Sequence, residues 1–233
     1  MSISVMKRYE MKYLLNGEQT QRFREKLQGR MEIDQYGKTS IASLYYDTPT
    51  YQLIRRSLEK PIFKEKIRLR SYGLAAENSP VFLELKRKAN GIVYKRRIQT
   101  TVPLANAFFA ESGDACESGQ IGREIAAFRE QYPALRPTCL IIYDRTAYYE
   151  PEGDLRLTID EDPRYRLEDL TLTSSMEGES LLAPGWTILE IKVQDAMPLW
   201  LTAILSECGV RKGSFSKYGE VYRRQLMKTP ICA

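Results

Sequence analysis

The 233-residue chain contains no histidine. That excludes Ser-His and Cys-His triads and any proton transfer that runs through imidazole. Cysteine is sparse: Cys116, Cys139, Cys208 and Cys232 are widely spaced and form no C-x-x-C pair. Without histidine or paired cysteines a structural zinc site has no ligand set. A disulfide framework does not suit a cytosolic chain of this size. No apolar run approaches the length of a membrane span. The stretch Met1 to Lys7 lacks the apolar core of a signal peptide, so the expected location is the cytoplasm. Neither G-x-x-x-x-G-K-[ST] nor G-x-G-x-x-G occurs, and Gly17, Gly73 and Gly91 build no phosphate loop. A bound nucleotide is therefore held by side chains. Chemistry must run on carboxylates, lysine, arginine, tyrosine and a hard metal.

What is present is a patterned, well-filled chain. Hydrophobic residues make up 43% and charged residues 28%, enough for a core and against wholesale disorder. The net charge of +5 is too mild to demand nucleic acid. The positive charge is local, however, and clustering is what makes a binding field. Six segments carry a charged or polar residue at every second position: Arg8/Glu10/Lys12, Lys64/Lys66/Arg68/Arg70, Glu84/Lys86/Lys88, Lys95/Arg97, Arg156/Thr158/Asp160 and Glu190/Lys192. The residues between them are mostly apolar or aromatic. Period two means strands with one charged and one greasy face.

The length fits one large β-rich domain or two small ones. Strands are expected over residues 5–15, 38–46, 61–72, 80–88, 92–102, 134–149, 155–160, 164–170 and 186–193. Helices are expected over 17–29, 103–111, 122–131, 198–208 and 216–227. Asp47-Thr48-Pro49 and Pro151-Glu152-Gly153-Asp154 read as turns, and 112–122 and 171–184 as loops. These elements are mostly hairpin-linked, which implies an antiparallel or closed sheet.

Asn90-Gly91 is a strong two-residue hairpin signal. A type I′ turn there pairs Ala89 with Ile92, Lys88 with Val93, Lys86 with Lys95 and Glu84 with Arg97. Lys86 and Lys95 then oppose each other, which is destabilising unless water screens them or an anion sits between them. If the greasy faces pack against the helices, the charged faces line an interior that needs water, metal or ligand. The carboxylates on these faces are Glu10, Glu84, Asp160 and Glu190. Hard oxygens among cations suit Mg²⁺ or Mn²⁺, though each carboxylate could equally pair with a neighbouring Lys or Arg. Ser216, ahead of the last helix, could cap it ordinarily or leave an anion site beside Lys217.

Several strings occur in an order that resembles the VTC-type polyphosphate polymerase domain, a branch of the triphosphate tunnel metalloenzymes with the CYTH-type phosphatases. They are Arg8-Tyr9-Glu10-Met11-Lys12-Tyr13, Leu44-Tyr45-Tyr46-Asp47-Thr48, Lys66-Ile67-Arg68-Leu69-Arg70, Leu83-Glu84-Leu85-Lys86, Tyr143-Asp144-Arg145-Thr146-Ala147-Tyr148, Leu155-Arg156-Leu157-Thr158, Leu189-Glu190-Ile191-Lys192 and Ser214-Phe215-Ser216-Lys217-Tyr218. Where the family often has a further lysine two residues before the final Ser-Lys, this chain has Ser214.

The resemblance implies an α+β fold, an antiparallel closed β-barrel or tunnel of about eight strands with flanking helices, as one domain over residues 1–233. It implies that Lys12, Arg68, Arg70, Lys86, Arg145, Arg156 and Lys217 are catalytic cations that grip phosphates. Lys95, Tyr143 and Ser216 would add substrate contacts, and Lys66 and Lys192 stand on the same rows. Glu190 would hold the divalent metal, Mn²⁺ or Mg²⁺, with Glu10 and Glu84 as further candidates. The implied reaction moves the terminal phosphoryl group of ATP onto a growing polyphosphate chain. A tunnel-type hydrolase of triphosphate or another short phosphorylated substrate shares every site residue and stays open. So does a non-catalytic polyanion-binding barrel, although aromatics are not interleaved with the basic positions as nucleic-acid stacking platforms would be. The expected partners are ATP and polyphosphate or another triphosphate, with no nucleic acid and no membrane span. A membrane-protein partner that receives product, and the oligomeric state, stay open.

Overall fold

The computed structural model describes residues 9–90, 92–110 and 119–228. Arg8 and the start of the first expected strand, Gly91, Cys116 and most of the 112–122 loop, and Cys232 lie outside the described residues. The strands are β1 (Tyr9–Leu15), β2 (Glu32–Asp47), β3 (Phe63–Tyr72), β4 (Val81–Ala89), β5 (Ile92–Thr100), β6 (Arg136–Tyr149), β7 (Arg156–Arg166), β8 (Glu179–Ser180), β9 (Thr187–Val193) and β10 (Lys212–Gly213). The helices are α1 (Gly17–Leu27), α2 (Gln52–Leu58), α3 (Val102–Phe109), α4 (Gln120–Gln131), α5 (Leu199–Glu207) and α6 (Lys217–Arg224), with a 3₁₀ turn at Leu226–Lys228. The fold is α+β around a large antiparallel sheet. Eight of the strands have seven residues or more, and β8 and β10 have two each.

Hydrogen bonding runs in the order β10-β1-β9-β7-β6-β2-β3-β4-β5, with β8 on β7. The series is open: β10 and β5 are its ends, so the expected closure is not shown. The chain forms two compact units, with β2, β6 and β7 contributing to both. One holds residues up to Ser40, Tyr143–Arg164 and Ser180–Ser216; the other holds Ile41–Ile142, Tyr165–Glu179 and residues from Lys217 on.

In the first unit β1 pairs with β9, placing Lys12 opposite Glu190 and Glu10 opposite Lys192. β9 pairs with β7, placing Thr158 opposite Glu190 and Arg156 opposite Lys192. The alternate residues Leu157, Ile159, Leu189 and Ile191 pack on Phe23 and Leu27 of α1 and Leu201, Ile204 and Leu205 of α5. Helix α1 starts where sequence predicts because Asn16 and Gln19 form a reciprocal capping box.

In the second unit β3, β4 and β5 form a meander. Ile67, Leu69, Leu83, Leu85 and Ile98 turn to Val102, Ala105 and Phe108 of α3 and Ile125 and Phe128 of α4. The β4–β5 register matches the hairpin expectation pair for pair. Asn90 holds the left-handed φ of 49° that a type I′ turn requires of its first central residue.

β2 begins at Glu32 instead of residue 38, the two-residue strands β8 and β10 have no counterpart among the expected elements, and three further elements depart from the sequence reading. Helix α2, one residue past the Asp47–Thr50 turn and Tyr51, is not signalled. It has seven residues and follows Tyr51 at a left-handed φ of 57°. The expected strands 155–160 and 164–170 are one strand, β7. Pro163 suggests a break there, but Asp162 at φ 42° absorbs the irregularity as a bulge does, and pairing resumes. The last helix gives way to a 3₁₀ turn before Met227.

Candidate functional site

Each unit carries a charged face opposite its apolar one. On β3–β4–β5 the period-two alternation puts Lys64, Lys66, Arg68 and Arg70 beside Glu84, Lys86 and Lys88, and these beside Lys95 and Arg97. That face bears eight cations and a single carboxylate. Lys64 faces Lys88, Lys66 faces Lys86, and Lys86 faces Lys95. Lys64 registers the crowding. Partial burial lowers its pKa, and the charges of Lys88, Lys60 and Lys86 lower it further. The helix-covered face differs: Arg87 meets Glu65 at 2.6 Å and Arg96 meets Glu124 at 2.7 Å. Cationic excess is thus confined to one side of the meander.

Glu84 organises that excess. It is 1% exposed. One oxygen accepts from Arg68 at 2.7 and 2.9 Å, and the other accepts from Lys95 at 2.7 Å and Arg97 at 2.5 Å. Arg70 lies 3.8 Å away. Burial opposes its charge, but Arg68, Arg70 and Lys95 outweigh it and hold the carboxyl far below the usual carboxylate range. Arg68 also donates to the Tyr45 hydroxyl at 2.9 Å, and Arg97 to that of Tyr72 at 2.9 Å. Lys95 is pushed down to about 8: crowding around its amine costs more than Glu84 returns, and Arg97 and Arg70 repel it. Its stem is exposed, but its amine points at a buried carboxylate.

The first unit gathers Glu10, Lys12, Tyr143, Arg145, Arg156, Glu190 and Lys192. Glu190 accepts from Lys12 at 3.2 Å and Lys192 at 2.9 Å. Burial raises its pKa, but Lys192, Lys12 and Arg145 overcome this and drive it well below the usual range. Burial works against the Lys12 charge too, yet Glu190, Glu10 and Asp160 hold its pKa above the ordinary lysine value. Lys12 also donates to the Phe215 carbonyl at 3.3 Å. Arg145 grips Asp160 bidentately at 2.6 and 2.9 Å and stacks on the Tyr143 ring at 5.1 Å. Arg156, exposed at the start of β7, lies 5.5 Å over the Tyr149 ring.

Among the described residues no three His, Cys, Asp or Glu side chains converge on a metal-sized site. The described residues thus hold no protein-only cage. Mg²⁺-type ions need no such cage, since one or two carboxylates plus substrate phosphates suffice. Glu190 fits that pattern. Across from it, the Thr158 hydroxyl is buried with no hydrogen-bond partner among the described residues. A buried orphan oxygen beside a carboxylate is a place for a ligand. In the other unit Glu84 is held by four cations, Arg68, Arg70, Lys95 and Arg97.

Ser216 is half-buried, and Lys217 opens α6. Three participants escaped the sequence reading. Arg97 stood opposite Glu84 in the predicted register but was not singled out. Tyr45 aligns Arg68. Asp47, read only as a turn residue, is fully buried and accepts from the backbone of Thr48, Leu53 and Ile54 and from the Tyr218 hydroxyl. Nothing in the sequence marks that convergence, because its donors come from α2 and α6.

Comparison with known proteins follows the same lines. A candidate adenylate cyclase from Bacillus halodurans matches 94% of this chain and 100% of its own length, with a TM-score of 0.58 at 14% identity. The candidate adenylyl cyclase HpAC1 from Hippeastrum, described as having a dominant triphosphatase activity, covers 94% of this chain and 95% of its own at a TM-score of 0.55 and 18% identity. At such identities the likeness is one of fold. No curated protein sequence matches the chain. The sequence model of the VTC domain matches residues 7–225. Nearly the whole chain is spanned by that match, and it belongs to the VTC domain family.

Proposed function

We propose that this protein transfers the terminal phosphoryl group of ATP onto a growing polyphosphate chain. The observation that carries the reading is the cationic face of β3–β5, with eight cations and one carboxylate beside an opposite face whose arginines are matched. A face of this composition suits a polyanion. In the transfer, a terminal oxygen of the chain bonds to the γ-phosphorus as the β–γ bridging bond breaks, leaving ADP. Little covalent chemistry falls to the protein, so positioning and charge stabilisation dominate, in keeping with a chain that lacks histidine.

Arg68, Arg70, Lys86 and Lys95 in one unit and Lys12, Arg145, Arg156 and Lys192 in the other are assigned to phosphate oxygens. Lys66, Lys217, Tyr143 and Ser216 are assigned supporting contacts. Glu190, with Thr158 beside it and Glu10 on the neighbouring strand, would hold a divalent ion, Mn²⁺ or Mg²⁺, which neutralises phosphate charge. Strand closure into the family's tunnel, a single domain over 1–233 and a cytoplasmic setting complete the reading.

A second reading, hydrolysis of triphosphate, is favoured by the fold likeness to HpAC1 and its described triphosphatase activity. One experiment separates the two. Purified protein is incubated with ATP and Mn²⁺ or Mg²⁺, and products are resolved on a gel alongside a free-phosphate assay. ADP with long chains supports the polymerase. Free phosphate without chains supports the hydrolase, and no turnover with either metal refutes both.

A further inference from the structure

We infer that a hollow at the Arg156 end of the first unit's polar face seats a nucleoside, the base and ribose of a nucleoside triphosphate. This deepens the proposed function and rests on it. The hollow has a volume of about 380 Å³ and is lined by Asp34, Gln35, Tyr36, Ala147, Tyr148, Tyr149 and Arg156. That volume falls in the range of small-molecule sites.

Its position follows from strand alternation. Tyr143, Arg145, Ala147 and Tyr149 occupy every second place on β6 and so share one face. Arg145 reaches Asp160, and Arg156 reaches the Tyr149 ring, so that face is continuous with the charged row of β7. Along it the character changes. Arg145, Asp160 and Glu190 form a dense ionic cluster. Past Ala147 the walls are aromatic, and Arg156 is the cation at the far end, over the Tyr149 ring. A molecule with a charged end and a flat, polar-edged end has that same division.

The wall chemistry suits a nucleoside. Tyr36 is 72% exposed, unusual for a large aromatic on a strand, and it is among the residues that line the hollow. An exposed ring beside a cavity is a stacking platform that accepts any base through its π-face. Tyr149 is fixed by donating to Glu32 at 2.6 Å. Asp34 holds the local turn by accepting from the Tyr36 backbone at 3.0 Å. Its carboxylate is placed to accept from ribose hydroxyls or a base amino group. Facing bare phosphate it would repel, so this end takes the uncharged part of the ligand.

The test compares ATP with inorganic triphosphate, both with Mg²⁺, by calorimetric titration of the wild-type protein and of Tyr36→Ala, Tyr36→Trp and Asp34→Asn. Tyr36 is too exposed for its loss to unfold the protein. The expected result is that Tyr36→Ala weakens ATP about tenfold, the lower end of base–aromatic stacking, with triphosphate unchanged. Tyr36→Trp restores ATP binding, and Asp34→Asn weakens ATP alone. If Tyr36→Ala leaves ATP unchanged, or weakens both ligands equally, the nucleoside seat is overturned while the phosphate-binding reading stands. If the wild type binds neither ligand, both fall together.

Discussion

The Tyr218 hydroxyl donates to the buried Asp47 carboxylate at 3.0 Å, tying the residue after Lys217 to the end of β2. Tyr218 also shares a hydrogen bond with Thr138 at 3.0 Å and stacks on Tyr45 at 4.9 Å, and Tyr45 accepts from Arg68. A buried network thus links the start of α6 to the cation cluster around Glu84.

Burial raises the Asp47 pKa, and the donors from Leu53, Ile54, Thr48 and Tyr218 only partly offset it. Tyr218→Phe removes one of them and should destabilise by about 1–3 kcal/mol. The sign with pH follows from linkage. A carboxyl whose folded pKa lies above its unfolded value of about 3.9 stabilises fully at low pH and less as pH rises through the folded value. The variant raises that folded value further, so its deficit should be larger at pH 7 than at pH 4. Denaturant melts at the two pH values check this; an equal deficit at both would place Asp47 outside the network.

Glu84→Gln should cost about 3–5 kcal/mol at pH 7, because it leaves buried cations uncompensated. Glu84 has a depressed folded pKa, so its contribution is present above the ordinary carboxylate pKa and is lost only as pH falls through the depressed value. The penalty should therefore shrink toward very low pH. Added triphosphate should restore part of the variant's thermal stability by supplying the missing negative charge. Failure to restore it would argue that these cations do not meet phosphate.

Lys95 titrates near pH 8. Anion affinity should fall as pH rises from 7 to 9, by up to about tenfold for one charge-assisted contact. Lys95→Arg should flatten that profile, since arginine keeps its charge throughout. Binding at pH 8 should also take up protons, read as a buffer-dependent heat in calorimetry. A wild-type profile already flat across this range would remove Lys95 from the site.

Glu190→Gln should lower metal-dependent turnover by on the order of a hundredfold or more while the protein stays folded. Thr158→Val offers a subtler test. Replacing an orphaned buried hydroxyl by a methyl should be neutral or stabilising in the free protein. The same change should weaken triphosphate binding in the presence of Mg²⁺. A variant both more stable and equally competent would mean the hydroxyl serves no ligand.

What sequence revealed was local. Period-two rows and the Asn90-Gly91 turn predicted the β4–β5 register to the residue, because alternation and turn geometry are short-range constraints. Glu84 shows the limit. Its spacing left a metal and a cationic partner both open; the hairpin register set Arg97 opposite it, but Arg68 on β3 reaches it through a strand pairing that no turn signal fixes. Asp47 reads as an ordinary turn residue because its partners lie up to 171 positions away. Closure of the sheet is likewise a long-range matter, and the two-residue β10 leaves no trace in hydrophobic pattern. Helix α2 is too short for periodicity to register.

The most direct test is calorimetric titration of inorganic triphosphate with Mg²⁺ into three proteins: the wild type, Lys66→Ala/Lys86→Ala on the cationic face of the meander, and Arg96→Ala on the face that packs against α4. The expected result is saturable binding by the wild type, a loss of about 1–3 kcal/mol in the double lysine variant, and no change for Arg96→Ala. Equal affinity in the wild type and the double lysine variant would contradict it.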